Sequence, residues 1–263
     1  MRIVVTSDTH YHRQWHTVLT NFAVELADLK PDCLVVAGDV GEGPENFAEM
    51  LRLLEVVQCP RLVLSGNHDL WSTRTASSEH LFNTLLPQIT DDHGAIWLEG
   101  ENWICDNVAV CGTNGWYDYS GADPSLPYHT DDYFTFKRKY IVDGDKVDWD
   151  WTDVKFAEML GKHFARRLEA LDADAAVQDI IVVTHVPPFA EAIVRKEGNE
   201  VWGITNAYFY NLTLGERIKH SAKVRRVVSG HTHVGISAPV ADTAIHLDVI
   251  PADYGRPAYV VFD

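Results

Sequence analysis

Positive charge is scarce in this sequence. It has 22 lysines and arginines against 38 aspartates and glutamates, which gives a formal net charge of -16. Such a chain lacks the basic surface that general binding to nucleic acid or anionic lipid requires. We therefore expect no nucleic-acid partner. An anionic substrate would have to meet positive charge from another source, and a bound metal ion is the obvious one.

Long apolar runs and paired cysteines are also missing. The apolar run at 180–183 is far too short to cross a membrane, and the first residues show no signal-peptide pattern. We therefore expect no membrane association. The cysteines show no CxxC spacing, so reduced thiols in a cytoplasmic protein are favoured over a disulfide or a zinc site. They are Cys33, Cys59, Cys105 and Cys111.

Size and patterning favour one layered domain. The chain has 263 residues and is 46% hydrophobic, so it can bury a large core without disulfides or a structural metal. No repeat or low-complexity linker divides it, and we predict a single domain over residues 1–263. The first third alternates apolar strands with helices, a βαβαβ pattern typical of a parallel sheet. Because the second half adds more strands, two facing sheets with helices outside are expected.

Polar side chains that can bind metals follow the predicted strands. Because carboxyl ends of strands in such sheets converge on one crevice, we expect these side chains to lie together. Any one of these sequences alone could be an ordinary turn, but the five together are typical of a site. The residues are Asp8 and His10, Asp39, Asn67 to Asp69, His185, and His231 with His233.

The donor types favour transition metals. Imidazole combined with carboxylate suits Mn, Fe, Zn, Co or Ni better than Ca or Mg alone. Two such ions held about 3.5–4 Å apart can activate water and clamp a phosphoryl group. The predicted cofactor is therefore a pair of divalent transition-metal ions. Glycines precede Asp39, Asn67 and His231, as expected where the backbone passes close to such a site.

The order of these motifs resembles a known family. The chain carries Asp8-Thr9-His10, then G-D at 38–39, G-N-H-D at 66–69, a lone His185, and G-H-x-H at 230–233. This set is similar to the signature of the calcineurin-like metallophosphoesterases. The resemblance spans residues 8–233 and implies an α/β fold, a four-layer α/β/β/α sandwich with two facing mixed sheets. It also implies a binuclear centre, with manganese or iron favoured.

The resemblance implies a role for each site residue. His68 would protonate the leaving oxygen or stabilise its developing charge, and Asp69 would orient His68. A hydroxide between the metals would attack phosphorus in line with the leaving group. The first metal would be held by Asp8, His10, Asp39 and His233, and the second by Asp39, Asn67, His185 and His231, so that Asp39 bridges them.

Differences from other members of the family narrow the range of expected substrates. The arginines that protein serine/threonine phosphatases carry beside these motifs are absent, and Glu42 stands where purple acid phosphatases have a metal-binding tyrosine. We therefore expect a small phosphodiester or phosphomonoester as substrate. The alternatives are a non-catalytic metal-binding interaction scaffold of the same fold, or a nuclease. The complete set of site residues opposes the scaffold, and the acidic charge opposes the nuclease.

An aromatic and acidic insertion at about 114–150 is the most individual part of the sequence. It is either a surface loop packed around its own small core or a cap over the metal site. In a cap, Trp116 and Tyr117 are expected to reach the substrate pocket, because they follow a strand end directly. No role is assigned to Tyr254 or Arg256, although they too follow a strand.

Overall fold

The computed structural model describes residues 1–263. Its strands, numbered in chain order, form one sheet of five strands and one of six. The strands are β1 (Ile3–Ser7), β2 (Cys33–Ala37), β3 (Arg61–Leu64), β4 (Ile96–Trp97), β5 (Trp103–Cys105), β6 (Val108–Thr113), β7 (Asp179–Thr184), β8 (Val224–Ser229), β9 (Ile236–Pro239), β10 (His246–Val249) and β11 (Ala258–Phe262).

Both sheets are mixed, with a parallel centre. The first sheet has the order β11-β1-β2-β3-β4, and only β11 runs antiparallel to its neighbour. The second has the order β5-β6-β7-β8-β10-β9, in which the two edge strands are antiparallel. The parallel centres put the carboxyl ends of β1, β2 and β3 on one edge, and those of β7 and β8 on one edge of the other sheet.

Alternation along the strands builds the layers. In β1, Ile3 and Val5 face a core that also contains Val183 and Val228 from the second sheet, so this core lies between the sheets. Val4, between them, belongs to another core beneath the helices that cover the first sheet. A third core lies between the second sheet and its helices. The predicted four-layer α/β/β/α sandwich is therefore confirmed.

The covering helices begin where the sequence offers a start. Pro44 opens α2, and the Thr152 side chain accepts a hydrogen bond from the Lys155 N–H at the start of α7. None of the helices combines the length and apolar character that a membrane span needs. The helices are α1 (His16–Asp28), α2 (Pro44–Leu54), α3 (Ser78–His80), α4 (Leu86–Asp92), α5 (Thr130–Tyr140), α6 (Asp143–Lys146), α7 (Asp153–Ala173), α8 (Glu200–Thr205) and α9 (Leu212–Lys219).

The aromatic segment is more ordered than its composition suggests. It contains α5 and α6, and its rings pack on one another and on Phe156 of α7. Trp116 and Tyr117 are fully buried in this cluster. The expectation that these two residues reach the substrate pocket is wrong, because they form the base of the segment. The other end of the segment, residues 140–143, lies beside the site.

Residues 206–219 do not form one continuous helix. A 3-10 turn at Asn206–Tyr208 follows α8, and α9 begins only at Leu212. The break is explained by Asn211, whose side-chain oxygen accepts from the Leu214 N–H while its amide donates to the Gly115 and Trp116 carbonyls. The break leaves the Tyr208 carbonyl free to accept a hydrogen bond from the site.

Candidate metal centre

Five strand ends meet at one edge of the sandwich. β1, β2 and β3 of the first sheet and β7 and β8 of the second deliver every site residue predicted from the sequence. Three groups have candidate ligand atoms within 4.8 Å of one another. They are Asp8, His10 and His233; Asp39, His185 and His231; and His10, Asp39 and His68.

The backbone at these strand ends is unusual. Asp8, His10, Asp39, His231 and His233 all have positive φ, between 40° and 68°. Side-chain-bearing residues rarely adopt this conformation, and it concentrates at functional sites. Here it turns consecutive strand ends sharply, so that their side chains point into one volume.

The glycines of the motifs permit the close approach. A Cβ on Gly66 would overlap the Asp39 carboxylate, and one on Gly230 would overlap Asp8. A Cβ on Gly38 would lie 2.6 Å from His185 Nδ1. The expectation that these glycines bring backbone close to the site is therefore confirmed.

Asp39 lies between two groups of ligands. Its Oδ2 is 3.5 Å from His10 Nε2, and its Oδ1 is 3.4 Å from His185 Nε2. On the first side, His233 Nε2 is 3.1 Å from His10 Nε2 and 3.4 Å from Asp8 Oδ1. On the second side, Asn67 Oδ1 is 3.1 Å from His185 Nε2. One carboxylate thus presents an oxygen to each group, which is the geometry of a bridging ligand.

Hydrogen bonds outside the centre fix the histidine rings. His185 Nδ1 lies 2.9 Å from the Ala37 carbonyl, and His231 Nε2 lies 3.0 Å from the Tyr208 carbonyl. His233 Nδ1 lies 3.3 Å from the Asp253 carboxylate. A carbonyl accepts but cannot donate, so the ring nitrogen facing it carries the proton. The other nitrogen then offers a lone pair to a metal, as second-shell partners do in metal proteins.

The electrostatics of the centre fit bound cations. Asp8 and Asp39 are buried, and their ion-pair partners are all histidines, with no lysine or arginine. Burial, together with the neighbouring His68, lowers the pKa of His10 to about 2, and burial lowers that of His185 to about 3. Neutral imidazoles such as those of His10 and His185, beside buried carboxylates, are the donors that divalent transition metals prefer.

His68 lies beside the centre with surroundings of its own. Its Nε2 is 3.9 Å from Asp39 Oδ2, its Nδ1 is 3.5 Å from Glu42 Oε1, and its ring stacks on Trp71 at 3.8 Å between centroids. Burial would lower the pKa of His68, but the charges of Asp39 and Glu42 outweigh it and raise the pKa to about 9. The ring therefore carries a proton that it can donate.

Asp69 has different contacts from those expected. Its carboxylate makes no hydrogen bond to His68. It accepts the backbone N–H groups of Gly66 at 2.7 Å, Gly41 at 2.8 Å and Val40 at 3.1 Å. The expectation that Asp69 orients the His68 ring needs correction. Asp69 instead joins the loops after β2 and β3, which carry Asp39 and Asn67.

Several residues at the centre could not be found from the motifs. Asp143 accepts hydrogen bonds from Asn67 Nδ2, Trp71 Nε1 and the Tyr117 hydroxyl. Tyr254, to which the sequence assigns no role, stacks on His10 with ring centroids 4.2 Å apart. Its place after a strand was the only signal, whereas Asp143 lies in a segment without a motif.

An open cleft leads to the centre. It has a volume of about 290 Å³, and its floor contains Asp39, Asn67, His231 and His233. No lysine or arginine lines it. The walls are formed by residues of three segments: His68 with Trp71, residues 140–143, and Tyr208 with Phe209.

The sandwich and its paired groups of histidines and carboxylates define a dimetal hydrolase class. The chain belongs to the calcineurin-like phosphoesterase family, whose model matches residues 1–235. It is accordingly a metal-dependent phosphoester hydrolase of a dimetal-dependent family.

Solved structures share the fold at low identity. Phosphopantetheinyl hydrolase from Mycobacterium tuberculosis is 17% identical with a TM-score of 0.71, and the match covers 97% of this chain and 90% of that one. A dimetal phosphatase from Danio rerio is 14% identical with a TM-score of 0.61, covering 99% and 91%. A comparison with curated proteins found no match. At these identities the structural likeness shows the fold alone.

Proposed function

We propose that this enzyme hydrolyses small phosphate esters, either monoesters or diesters, at two divalent transition-metal ions bridged by Asp39. The observation that carries the proposal is the position of Asp39, whose two oxygens face separate ligand groups. Asp8, His10 and His233 would complete the first site. Asn67, His185 and His231 would complete the second. Manganese and iron are the favoured metals.

The chain's own residues supply positioning and the proton. Bound divalent cations would provide Lewis acidity and activate water for attack on phosphorus. His68 lies at the edge of the centre with its Nε2 toward Asp39, so its proton is placed for donation to the leaving oxygen. Glu42 and Trp71 hold the His68 ring, and Asp69 keeps the two ligand loops in register.

The net charge of the chain and the volume of the cleft both support a small substrate. The cleft holds about 290 Å³, and the net charge of -16 repels polyanions at long range. A nuclease is disfavoured on the same ground. A non-catalytic scaffold has no physical need for His68 beside a complete ligand set. We also propose that the enzyme works in the cytoplasm, which agrees with four free cysteines.

The test is an activity screen of metal-free protein. Mn, Fe, Zn, Co and Ni are added singly, and a panel of phosphate monoesters and diesters is assayed. We expect metal-dependent hydrolysis, and its loss in Asp39→Ala. Hydrolysis of no ester with any metal, by protein that binds the metals, would contradict the proposal and favour the scaffold.

A further inference from the structure

The walls of the cleft differ from its floor. Six of its twelve lining residues are hydrophobic. Tyr140, at the end of α5, and Phe209, before α9, both line the cleft. Phe209 also packs against the His231 ring, with centroids 5.8 Å apart. An apolar space therefore adjoins the ligand groups on the side where His68 lies.

Little positive charge lies at these walls: His68 is one source, and Lys139 Nζ lies 4.9 Å from the centroid of the Tyr140 ring. The cleft has no lysine or arginine, and its one carboxylate outside the metal centre, Asp143, already accepts hydrogen bonds from three side chains. The metals, together with His68, would thus be the only cations that line the cleft and face a bound substrate. They can balance the reacting phosphoryl group, but a second anionic group on the leaving side would lie unpaired beside apolar rings, which is costly.

We propose that Tyr140 and Phe209 form a leaving-group subsite for an uncharged aromatic or aliphatic group. This inference rests on the proposed function. A flat ring or short chain can displace water from the apolar walls, and the leaving oxygen then lies near His68. A neutral ring is favoured in this space whereas an unpaired carboxylate there is costly, so discrimination of roughly tenfold or more between the two is expected.

The experiment compares two esters with the same reacting group. Phenyl phosphate has a neutral leaving group, whereas 4-carboxyphenyl phosphate adds one negative charge of similar size. In the metal-loaded enzyme we expect kcat/KM at least about tenfold higher for phenyl phosphate. Phe209→Ala and Tyr140→Ala should each raise KM for phenyl phosphate about fivefold, which shrinks this difference.

Phe134→Ala is the matched control. Phe134 lies on the same segment, is 60% exposed and does not line the cleft, so its replacement should leave both esters unchanged. Equal kcat/KM for the two esters would overturn the subsite while leaving the proposed function intact. Hydrolysis of neither ester, nor of any other, would contradict both. Using variants from two separate segments keeps the test decisive if one of them does not fold.

A separate observation concerns Asp143, which is buried in the wall of the cleft. Its carboxylate lies 3.0 and 3.2 Å from Asn67 Nδ2, 2.7 Å from Trp71 Nε1 and 2.9 Å from the Tyr117 hydroxyl. An ionised carboxylate only accepts hydrogen bonds, so the amide nitrogen of Asn67 must face Asp143. The oxygen of Asn67 must then face His185.

We infer that Asp143 is a positioning residue that fixes the Asn67 carboxamide with its oxygen toward the second metal site. Asn67 and Asp143 are 76 positions apart in the chain, so this contact also ties the aromatic segment to the centre. Without Asp143 the amide could rotate and present its N–H groups, which do not bind cations. Loss of such an outer partner typically costs 10–100-fold in metal affinity.

Asp153 offers a matched control. It is also buried in this part of the chain and accepts hydrogen bonds from Trp116 and Tyr119, but it contacts no candidate ligand. Calorimetric titration of metal-free protein with Mn²⁺ should show the second ion bound at least about tenfold more weakly in Asp143→Ala. Asp153→Ala should lower stability without this change. Asp143→Asn keeps an acceptor oxygen for Asn67, and it should restore affinity to within about threefold.

Equal Mn²⁺ affinity in Asp143→Ala and the wild type would overturn the role of Asp143. So would equal weakening in Asp153→Ala, because the effect would then come from general loosening of the segment. If Asp143→Ala does not fold, Asp143→Asn provides the test. Mn²⁺ binding about tenfold weaker in Asp143→Asn would overturn the role of Asp143, because it would show that the charge of Asp143 is needed rather than the orientation of Asn67.

Discussion

Neighbouring residues at the centre have separate tasks. Asn67 is held by Asp143 and faces His185, whereas His68, the next residue, stacks on Trp71 at the mouth of the cleft. The separation arises because a 3-10 turn begins directly at His68 and turns its side chain away from that of Asn67. Metal binding and proton donation can therefore be removed independently.

Replacement of His68 by asparagine should keep both metals and lose turnover. We expect kcat to fall by about 10²–10⁴ for esters of alkyl alcohols, which need a proton on the leaving oxygen. Activated aryl esters should lose less, because their leaving group departs unprotonated. Metal content by elemental analysis and kcat on both ester types are the measurements. Loss of metal from this variant would contradict the role assigned to His68.

Gly66 should be intolerant of any side chain. A Cβ there would overlap the Asp39 carboxylate, so Gly66→Ala should displace Asp39 and weaken the binding of both metals. Gly100→Ala is the control, because its Cβ would meet nothing closer than 3.8 Å. Metal stoichiometry in the two variants decides the point, and normal binding in Gly66→Ala would refute it.

The elements show how far the sequence could predict the site. The ends of β1, β2, β3, β7 and β8 were predictable, because apolar strands followed by polar turns in a βαβ pattern must converge. Asp143 and Tyr254 were not, because their contacts with Asn67 and His10 depend on how distant segments dock. Burial of Trp116 was likewise decided by docking, since its indole N–H donates to Asp153.

Trp116 should therefore matter for stability and not for substrate choice. Trp116→Ala removes a fully buried ring and leaves Asp153 without one donor, at a cost of about 3–5 kcal/mol. Urea unfolding measures this loss. The ratio of kcat/KM between phenyl phosphate and 4-carboxyphenyl phosphate should stay constant. A changed ratio in a variant of normal stability would instead show that Trp116 acts in the substrate pocket.

For the whole molecule, bound metal should contribute a large part of the free energy of unfolding. Asp8 and Asp39 are both buried and their negative charges repel each other, and bound cations would relieve this repulsion. Free metal at 100 times its dissociation constant adds about 2.7 kcal/mol, which raises the Tm by several degrees. Calorimetry of metal-free and Mn-loaded protein tests this, together with a stoichiometry of two. An unchanged Tm with two bound ions would contradict it.

The ligands are divided between the two sheets, and this has a consequence for biosynthesis. Asp8, Asp39 and Asn67 follow strands of the first sheet, whereas His185 and His231 follow strands of the second. The chain through β3 already contains Asp8, His10, Asp39 and Asn67, yet each donor set lacks a member until His231 and His233, which follow β8, have been synthesised. Both donor sets can thus be completed only after nearly the whole chain has been synthesised.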